Sequence, residues 1–535
     1  MSLNSKPIRQ GEISRRRFIR QTSILGAAAA TGMILPRYSY GGISDGFPIL
    51  ETTYGTIRGM NVNGIMTFRG IRYGASTAGK NRFMPPAKPA RWKGVYDAFA
   101  YGPASPQMPI APTSKYDLST GWIAHTKTGI SEDCLFLNVW TPGIDDGGGR
   151  PVFFYIHGGG FTTGSGGIIF DGDFMARMGN AVVVTVNHRL GPFGYLDLSQ
   201  YNNRKYSKSG VAGMLDLVAA LEWVHDNIER FGGDPGNVMI MGQSGGGMKV
   251  SILMVMPAAK GLFHKAGVQS GSTLTLGPRD RNTAQVEQLI SELGIRKEKP
   301  DDLQMVPWDR ILEAKSNRNF SPIVDGEVIP KDPFDPGAPE ISADVPMIVG
   351  YTREDSGMRD LSIPDPTEEE LVKWAQETYR DNAALILKTY RGVYPNATPI
   401  QLQSRIRTDS RTRKQATAMV ERKAAQLRGN AYLYVMEWPS PAYEGRFGAV
   451  HGVDLGLILG NPTNLIAGNT AEARKMADIV GSTIAAFGKT GDPNCNKVPY
   501  WPPYDSETRA TMIFNLECRM ENDPTSELRQ LWENI

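Results

Sequence analysis

The chain has 535 residues, of which 41% are hydrophobic, 21% are charged and three are cysteines. These figures exclude a disulfide-stapled miniprotein, a collagen-like repeat and a disordered chain, because a globular chain of this length can bury a large core unaided. The formal net charge is +3, yet residues 1–42 alone carry +6, so residues 43–535 carry −3. So small a charge predicts no nucleic-acid partner.

The first 42 residues have the pattern of an export signal. Three consecutive arginines, Arg15–Arg17, precede a weakly apolar, Ala-rich stretch at residues 22–35. This arrangement is typical of a secretory signal, and the paired arginines indicate the twin-arginine export machinery. The stretch is shorter than the roughly 20 residues of a membrane-spanning helix, so we expect no stable membrane anchor.

We therefore expect residues 1–42 to be a signal and linker that direct the protein to the periplasm or beyond. A basic amphipathic arm and an uncleaved anchor are the alternatives. Residues 43–535 are expected to form one domain, since no repeat, low-complexity tract or charged linker divides them.

Apolar segments alternate with a helical pattern through the middle of the chain. Residues 151–156, 181–186, 238–241 and 345–350 are nearly continuous apolar runs, typical of strands buried on both faces of a parallel sheet. Between the second and third runs, apolar residues recur at helical spacing over residues 211–231. The alternation predicts an α/β fold, with a large mostly parallel sheet flanked by helices.

A glycine-rich loop, His157–Phe161, directly follows the first of these strands. Glycine lets the main chain approach a reacting carbonyl group without an intervening Cβ atom. In hydrolases with an α/β fold, such a loop directs backbone N–H groups at the oxyanion of an acyl-transfer intermediate. We expect the same role here.

The pattern Gly-x-Ser-x-Gly, centred on Ser244, follows the strand at residues 238–241 and precedes a helix expected at residues 245–256. A serine on a tight strand-to-helix turn needs small neighbours, because its backbone is strained and other chain passes close by. The turn exposes the hydroxyl group, and the helix N-terminus favours developing negative charge. The context predicts that Ser244 is a nucleophile.

Two adjacent carboxylates, Glu354 and Asp355, follow the strand at residues 345–350. Hydrolases with this nucleophile turn carry the serine, the acid and the histidine in that chain order. The acid should therefore follow a strand between Ser244 and the histidine. On the residues alone, Glu354 and Asp355 are both candidates.

Of the six histidines, only His264 and His451 follow Ser244. His264 stands 20 residues after Ser244, which leaves no room for an intervening strand that bears the acid. His451 follows an apolar run at residues 431–436 and precedes a helical pattern at residues 455–459. We expect His451 to be the general base, oriented by the carboxylate.

Residues 366–427 are mostly helical by pattern and polar on one face, which predicts a lid or cap layer. No large apolar lid is evident in this segment, which argues against a lipase that acts at interfaces. Among the cysteines, Cys495 and Cys518 are close enough in sequence to form a disulfide, and the alternative is three buried thiols.

Several motifs, in order, resemble the type-B carboxylesterase/lipase family, which includes cholinesterases and bacterial para-nitrobenzyl esterases. The similarity runs from about Glu51 to Asn515. Besides the nucleophile turn and His451-Gly452, the matching segments are Phe68–Tyr73, Glu132–Asn138, Asn187–Gly191, Phe231–Pro235, Gln269–Ser272 and Trp501–Asp505. The resemblance implies an α/β-hydrolase fold and a Ser–acid–His triad.

Carried over to this chain, the resemblance implies Ser244, Asp355 and His451 as the triad. The family acid is usually Glu in a Thr-Arg-Asp-Glu-Gly-like segment, and Asp355 occupies that position here. The implied oxyanion-hole donors are Gly159, Gly160 and Gly245. The resemblance also implies that Cys134 corresponds to one end of an early family disulfide. Its partner is replaced by Ser105, so the loop that holds Trp122 would lack this link.

The predicted function is that of a serine carboxylic-ester hydrolase that acts on a small-molecule ester through an acyl-enzyme. No metal-ligand cluster, Walker loop or dinucleotide fingerprint occurs in the sequence, so no cofactor is expected. A non-catalytic cholinesterase-like binding protein is the main alternative, and an interfacial lipase is another.

Overall fold

The computed structural model describes residues 46–108, 129–167, 171–316, 320–357, 364–462 and 466–535. The export signal predicted at residues 1–42 lies outside these residues, and so does Trp122. Of the helices within the described ranges, none combines the length and the apolar character that crossing a membrane requires.

Fourteen strands occur among the described residues. They are β1 (Ile49–Thr52), β2 (Gly55–Arg58), β3 (Met60–Val62), β4 (Ile65–Arg72), β5 (Val95–Asp97), β6 (Phe136–Thr141), β7 (Arg150–Ile156), β8 (Val182–Val186), β9 (Gly233–Gln243), β10 (Lys265–Gln269), β11 (Met347–Thr352), β12 (Ala431–Met436), β13 (Ala510–Phe514) and β14 (Arg519–Asn522). Strands β1, β2 and β5 form a small sheet, and the other eleven form one large sheet.

The large sheet has the order β14, β13, β12, β11, β10, β9, β7, β8, β6, β4, β3. Every pairing from β8 to β13 in this order is parallel, and the pairings at both edges are antiparallel. All residues of β8, β11 and β12 are buried, as the continuous apolar runs predicted. Strand β10 is buried as well, although no apolar run predicted it. The predicted α/β fold with a large, mostly parallel sheet is confirmed.

The helices cover both faces of this sheet. Those among the described residues are α1 (Asp173–Met178), α2 (Gly191–Tyr195), α3 (Asn203–Tyr206), α4 (Ala212–Asn227), α5 (Gly245–Leu253), α6 (Arg279–Glu292), α7 (Trp308–Glu313), α8 (Glu368–Tyr379), α9 (Ala383–Val393), α10 (Pro399–Thr408), α11 (Lys414–Ala424), α12 (Val453–Ile458), α13 (Ala471–Thr490) and α14 (Ser526–Asn534). Along β7, Val152, Phe154 and Ile156 pack in the same core as α4, whereas Phe153 and Tyr155 pack in the core that includes α13.

Helices α8 to α11, called the helical layer below, confirm the helical pattern predicted at residues 366–427. The lid or cap role of this segment stays a prediction. Capping boxes begin two of them, at Thr367 with Glu370 and at Thr398 with Gln401. Between α10 and α11 the helix continues through one wider turn, Asp409–Arg413, of the π type. Helix α11 packs against β11 and β12. Arg407 and Gln415 of the layer line a cavity together with Ser244, which follows the carboxyl end of β9, so the layer lies beside that end of the sheet.

The three cysteines are unpaired. Cys134 is buried, but Cys495 and Cys518 are partly exposed. The disulfide considered for Cys495 and Cys518 is therefore absent, and the alternative of three buried thiols is right only for Cys134. Ser105, which stands where the family places a cysteine, is buried, and its hydroxyl accepts a hydrogen bond from the Leu190 N–H at 3.1 Å.

Candidate active site

Ser244 lies at the tight turn between β9 and α5. Its backbone angles are φ 58° and ψ −124°, a conformation that non-glycine residues rarely adopt. Strain of this kind amounts to about 1–3 kcal/mol and persists only where surrounding contacts hold it. Here the Ser244 N–H donates to the Gln269 carbonyl at 2.8 Å, and the Ser244 carbonyl accepts from the Met248 N–H at 3.0 Å.

The turn depends on small neighbours, as predicted. A Cβ atom on Gly242 would lie 2.7 Å from the Ile156 carbonyl oxygen and 2.6 Å from the Gly246 carbonyl carbon. One on Gly246 would collide with the same Ile156 oxygen, and one on Gly245 would collide with the Gly160 backbone. The glycines therefore let β7, its following loop and the turn approach one another.

His451 lies in the segment before α12, and Asp355 follows β11. The His451 Nδ1 atom is 2.9 Å from the Asp355 Oδ1 atom, and the Thr352 hydroxyl donates to Asp355 Oδ2 at 3.1 Å. The Asp355 side chain is 7% exposed and that of His451 is 23% exposed. Burial alone would raise the pKa of Asp355, but the imidazole and the hydrogen bonds from His451 and Thr352 hold it below its ordinary value.

An ionised carboxylate can only accept a hydrogen bond, so the contact with Asp355 assigns the proton of His451 to Nδ1. The remaining lone pair is on Nε2, which lies 3.2 Å from the Gln243 side-chain nitrogen, one residue before Ser244. His451 and Ser244 line the same cavity. The arrangement leaves Nε2 as the ring atom able to accept a proton at this end of the sheet.

The neighbouring carboxylate, Glu354, has different partners. It is fully buried, accepts from Arg405 Nε at 2.6 Å and from the Ala449 N–H at 2.7 Å, and lies 3.2 Å from Arg353 Nε. The structure thus brings Asp355, and not Glu354, to the imidazole. These contacts could not be read from the adjacent acids in the sequence.

The other histidine considered, His264, lies at the opposite end of the sheet. Its Nδ1 atom accepts from the Val238 N–H at 3.2 Å, just before β10 begins. Ser244 is level with the carboxyl end of β10, because its N–H donates to the Gln269 carbonyl, so the length of β10 separates the two residues. The prediction that His264 is not the partner of Ser244 agrees with this placement.

The glycine loop after β7 lies against the serine turn. Gly159 and Gly160 have positive φ angles of 88° and 60°, which favour glycine, and Gly160 contacts Gly245. The loop thus brings Gly159 and Gly160 next to Gly245, which directly follows Ser244; these are the three glycines that the resemblance implies as oxyanion donors.

A buried lysine that sequence reasoning missed holds this loop. Lys249 Nζ donates to the Gly160 carbonyl at 2.6 Å and to the His157 carbonyl at 3.3 Å, and it lies 5.3 Å from the centre of the Phe161 ring. Burial lowers the pKa of Lys249 to about 7. One charged residue within the otherwise small and apolar helix α5 was the available signal.

A second missed residue is Asp454, the one charged residue of helix α12. It is fully buried, and the Tyr434 hydroxyl donates to it at 3.3 Å. Burial, followed by the nearby charge of Asp355, raises the pKa of Asp454 to about 6. The site therefore keeps a second titratable carboxyl group close to the Asp355–His451 pair.

The cavity beside Ser244 has a volume of about 490 Å³, which suits a small molecule. The sheet side and the helical layer both contribute to its lining, and its residues are Ser244, Met248, Ser270, Gly271, Ser272, Asp355, Ser356, Arg407, Arg411, Thr412, Gln415 and His451. It is thus a concave site with the serine and the Asp355–His451 pair in its wall.

Residues 47–532 match the carboxylesterase family. The chain belongs to this family. The carboxylesterase is 34% identical over 500 residues to the para-nitrobenzyl esterase of Bacillus subtilis (strain 168), covering 90% of this chain and 98% of that protein. It is 30% identical to the phenmedipham hydrolase of Pseudarthrobacter oxydans, covering 88% of this chain and 95% of that protein.

Solved structures of esterases are also similar to this chain, both in fold and in sequence. An esterase from anaerobic Clostridium hathewayi that can hydrolyze aliphatic aromatic polyesters superposes with a TM-score of 0.79 at 32% identity, covering 92% of this chain and 98% of that chain. A carboxylesterase of Geobacillus stearothermophilus superposes with a TM-score of 0.78 at 31% identity, covering 90% of this chain and 99% of that chain. The predicted family, the α/β-hydrolase fold and carboxylic-ester hydrolysis are confirmed.

Proposed function

We propose that this carboxylesterase is a serine hydrolase that works through an acyl-enzyme, with Ser244 as nucleophile, His451 as general base and acid, and Asp355 as the orienting acid. The observation that carries the proposal is the 2.9 Å contact between His451 Nδ1 and Asp355, in the wall of the cavity that Ser244 lines. A base oriented by a third group is the recurring way to activate a serine.

In the acylation step, the Ser244 oxygen bonds to the ester carbonyl carbon while His451 Nε2 takes the hydroxyl proton. The carbonyl oxygen becomes an oxyanion that accepts hydrogen bonds from the backbone N–H groups of Gly159, Gly160 and Gly245. The intermediate then breaks the bond to the alcohol oxygen, which receives the proton from His451. The alcohol leaves, and the acyl group stays on Ser244.

Deacylation repeats these steps with water in place of the serine. His451 removes a proton from the water as its oxygen attacks the acyl carbon, and it returns that proton to the Ser244 oxygen. Asp355 stays ionised throughout, because its lowered pKa favours the carboxylate. It holds the imidazole in one tautomer and stabilises the imidazolium form.

The test replaces Ser244 by alanine and measures kcat with 4-nitrophenyl butyrate. We expect a loss of about 10⁴-fold or more, since loss of a triad serine removes nearly all covalent catalysis. Labelling with a fluorophosphonate should modify the wild type at one serine per chain and leave Ser244→Ala unlabelled.

A matched control is Ser251→Ala on the same helix, whose hydroxyl donates to the Gly247 carbonyl at 2.9 Å. It should keep both turnover and labelling. Turnover by Ser244→Ala within tenfold of the wild type would refute the mechanism.

A further inference from the structure

Four arginines occur within residues 405–413, and the fold divides them into two pairs. Arg405 and Arg413 are buried and paired. Arg405 Nε lies 2.6 Å from Glu354, and Arg413 donates to the Thr525 hydroxyl at 2.8 Å and lies 3.6 Å from Asp409. These two arginines hold the helical layer to the rest of the molecule.

The other pair, Arg407 and Arg411, lines the cavity that holds Ser244 and His451. Within the part of the chain that the structure describes, neither guanidinium forms an ion pair. Arg407 is only partly exposed, and its Cζ atom lies 4.9 Å from the centre of the Trp374 ring. Burial lowers the pKa of Arg407, since no carboxylate among the described residues compensates the hydration that its guanidinium loses.

The sheet side of the same cavity offers an unused hydrogen-bonding group. Ser272, which follows β10, is 7% exposed, and its hydroxyl oxygen has no hydrogen-bond partner among the described residues. Buried hydroxyl groups are normally paired. A molecule bound in this cavity would supply the partner that Ser272 lacks, in a space that Arg407 and the exposed Arg411 also line.

We propose that the cavity binds esters that carry a carboxylate group in addition to the ester bond, with Arg407 and Arg411 pairing with that carboxylate. A guanidinium presents N–H donors in a fixed planar array that fits the two oxygens of a carboxylate. The domain as a whole carries a small negative charge, so its overall field would not attract such a substrate, and recognition rests on these two side chains. The inference depends on the proposed function, because the ester bond must reach Ser244.

The experiment compares matched esters that differ in one charge. For a carboxylate on the acyl part, the pair is mono(4-nitrophenyl) adipate and 4-nitrophenyl hexanoate. For a carboxylate on the alcohol part, the pair is 4-carboxyphenyl hexanoate and phenyl hexanoate. The readout is the ratio of kcat/KM for the charged ester to kcat/KM for the neutral ester. This ratio is compared between the wild type and each variant, because the intrinsic chemical reactivity of the two esters is the same for every protein and cancels.

We expect Arg407→Gln and Arg411→Gln each to lower this ratio roughly tenfold in one of the two pairs, and the double variant to lower it further. The control is Lys414→Gln, which removes an exposed positive charge from the adjacent helix without touching the cavity, and it should leave the ratio unchanged. For the wild type, raising sodium chloride from about 0.1 M to about 1 M should also lower the ratio, because the screening length shortens roughly threefold.

A ratio that stays within twofold of the wild type in the double variant, in both pairs, overturns the inference. Turnover of the neutral esters reports that each variant is folded. If the wild type hydrolyses neutral esters and the ratio does not change, the substrate assignment fails and the esterase mechanism stands. If Ser244→Ala keeps its activity, the mechanism itself fails.

Discussion

The carboxyl edge of the sheet and the helical layer both line the cavity, and they differ in how their polar side chains are engaged. At the sheet edge, Asp355 contacts His451 and Thr352, and Lys249 contacts two loop carbonyls. In the helical layer, Arg407 and Arg411 face the cavity without an ion-pair partner among the described residues.

The difference separates two tasks. A site that stabilises developing charge works best when its groups are held in place before the substrate arrives. Groups that select a substrate must keep hydrogen-bonding capacity for it. Replacements of Asp355 or Lys249 should therefore reduce turnover of every ester, whereas replacements of Arg407 or Arg411 should change which ester is preferred.

After Ser244→Ala, the largest expected effect on turnover is that of Asp355→Asn, at the sheet edge. We expect kcat/KM to fall about 10³–10⁴-fold for charged and neutral esters alike, because an amide does not hold the Nδ1–H tautomer of His451. Steady-state kinetics with 4-nitrophenyl butyrate measures the effect.

The adjacent Glu354→Gln variant is the control for Asp355→Asn. Its main effect should be on stability, since it breaks a buried ion pair with Arg405. Kinetics well below the melting temperature should show a much smaller loss than for Asp355→Asn. The reverse order of losses would transfer the orienting role to Glu354.

Lys249→Met should have a smaller effect, of roughly tenfold on kcat, with little change in KM. Loss of the ammonium removes the donors to the Gly160 and His157 carbonyls, so the loop proposed to supply oxyanion donors is less firmly positioned for the transition state. Ser251→Ala, on the same helix, is the matched control. An equal fall in kcat/KM caused by KM alone would contradict the positioning role.

The smallest expected effect is on the pH dependence of stability. The pKa of Lys249 is about 7 in the folded protein against an ordinary 10.5, so between these values the unfolded chain binds more protons than the folded one. The free energy of unfolding therefore gains a contribution that rises with pH across this window, by about 1.4 kcal/mol per pH unit at most.

Urea unfolding at several pH values, for the wild type and Lys249→Met, isolates this contribution. The difference in unfolding free energy between the two proteins should shift in favour of the wild type as the pH rises. A difference that is independent of pH would show that Lys249 titrates normally.

The fold could largely be predicted, because its signals are local. Strands buried on both faces must be continuously apolar, which located β7, β8 and β11 to within a few residues, and the strand-glycine-helix context located the Ser244 turn. Boundaries were less accurate: β11 ends at Thr352 and not at residue 350, and α5 ends at Leu253 and not at residue 256.

The partner of each charged side chain could not be predicted, because these pairings are contacts between segments that are distant in sequence. Glu354 and Asp355 are neighbours in sequence, yet one contacts Arg405 and the other His451. In the sequence, Lys249 and the arginines of the helical layer are likewise indistinguishable from other charged residues. Only the structure shows that Lys249 contacts the loop after β7 and that Arg407 and Arg411 line the cavity. Composition and spacing carry no information about such pairings.

The wider turn at Asp409–Arg413 has a consequence for protein engineering. It sets the angular phase between α10, which carries Arg407, and α11, which packs on β11 and β12. A turn of the π type closes with one residue more than an α-helical turn, so removal of one residue there would restore a regular helix and leave α11 in nearly the same phase. A single insertion or deletion within α10 or α11 would instead turn the residues beyond it by about 100°. Redesign of the specificity of this layer should therefore keep the chain length fixed in both helices and reserve any deletion for the turn itself.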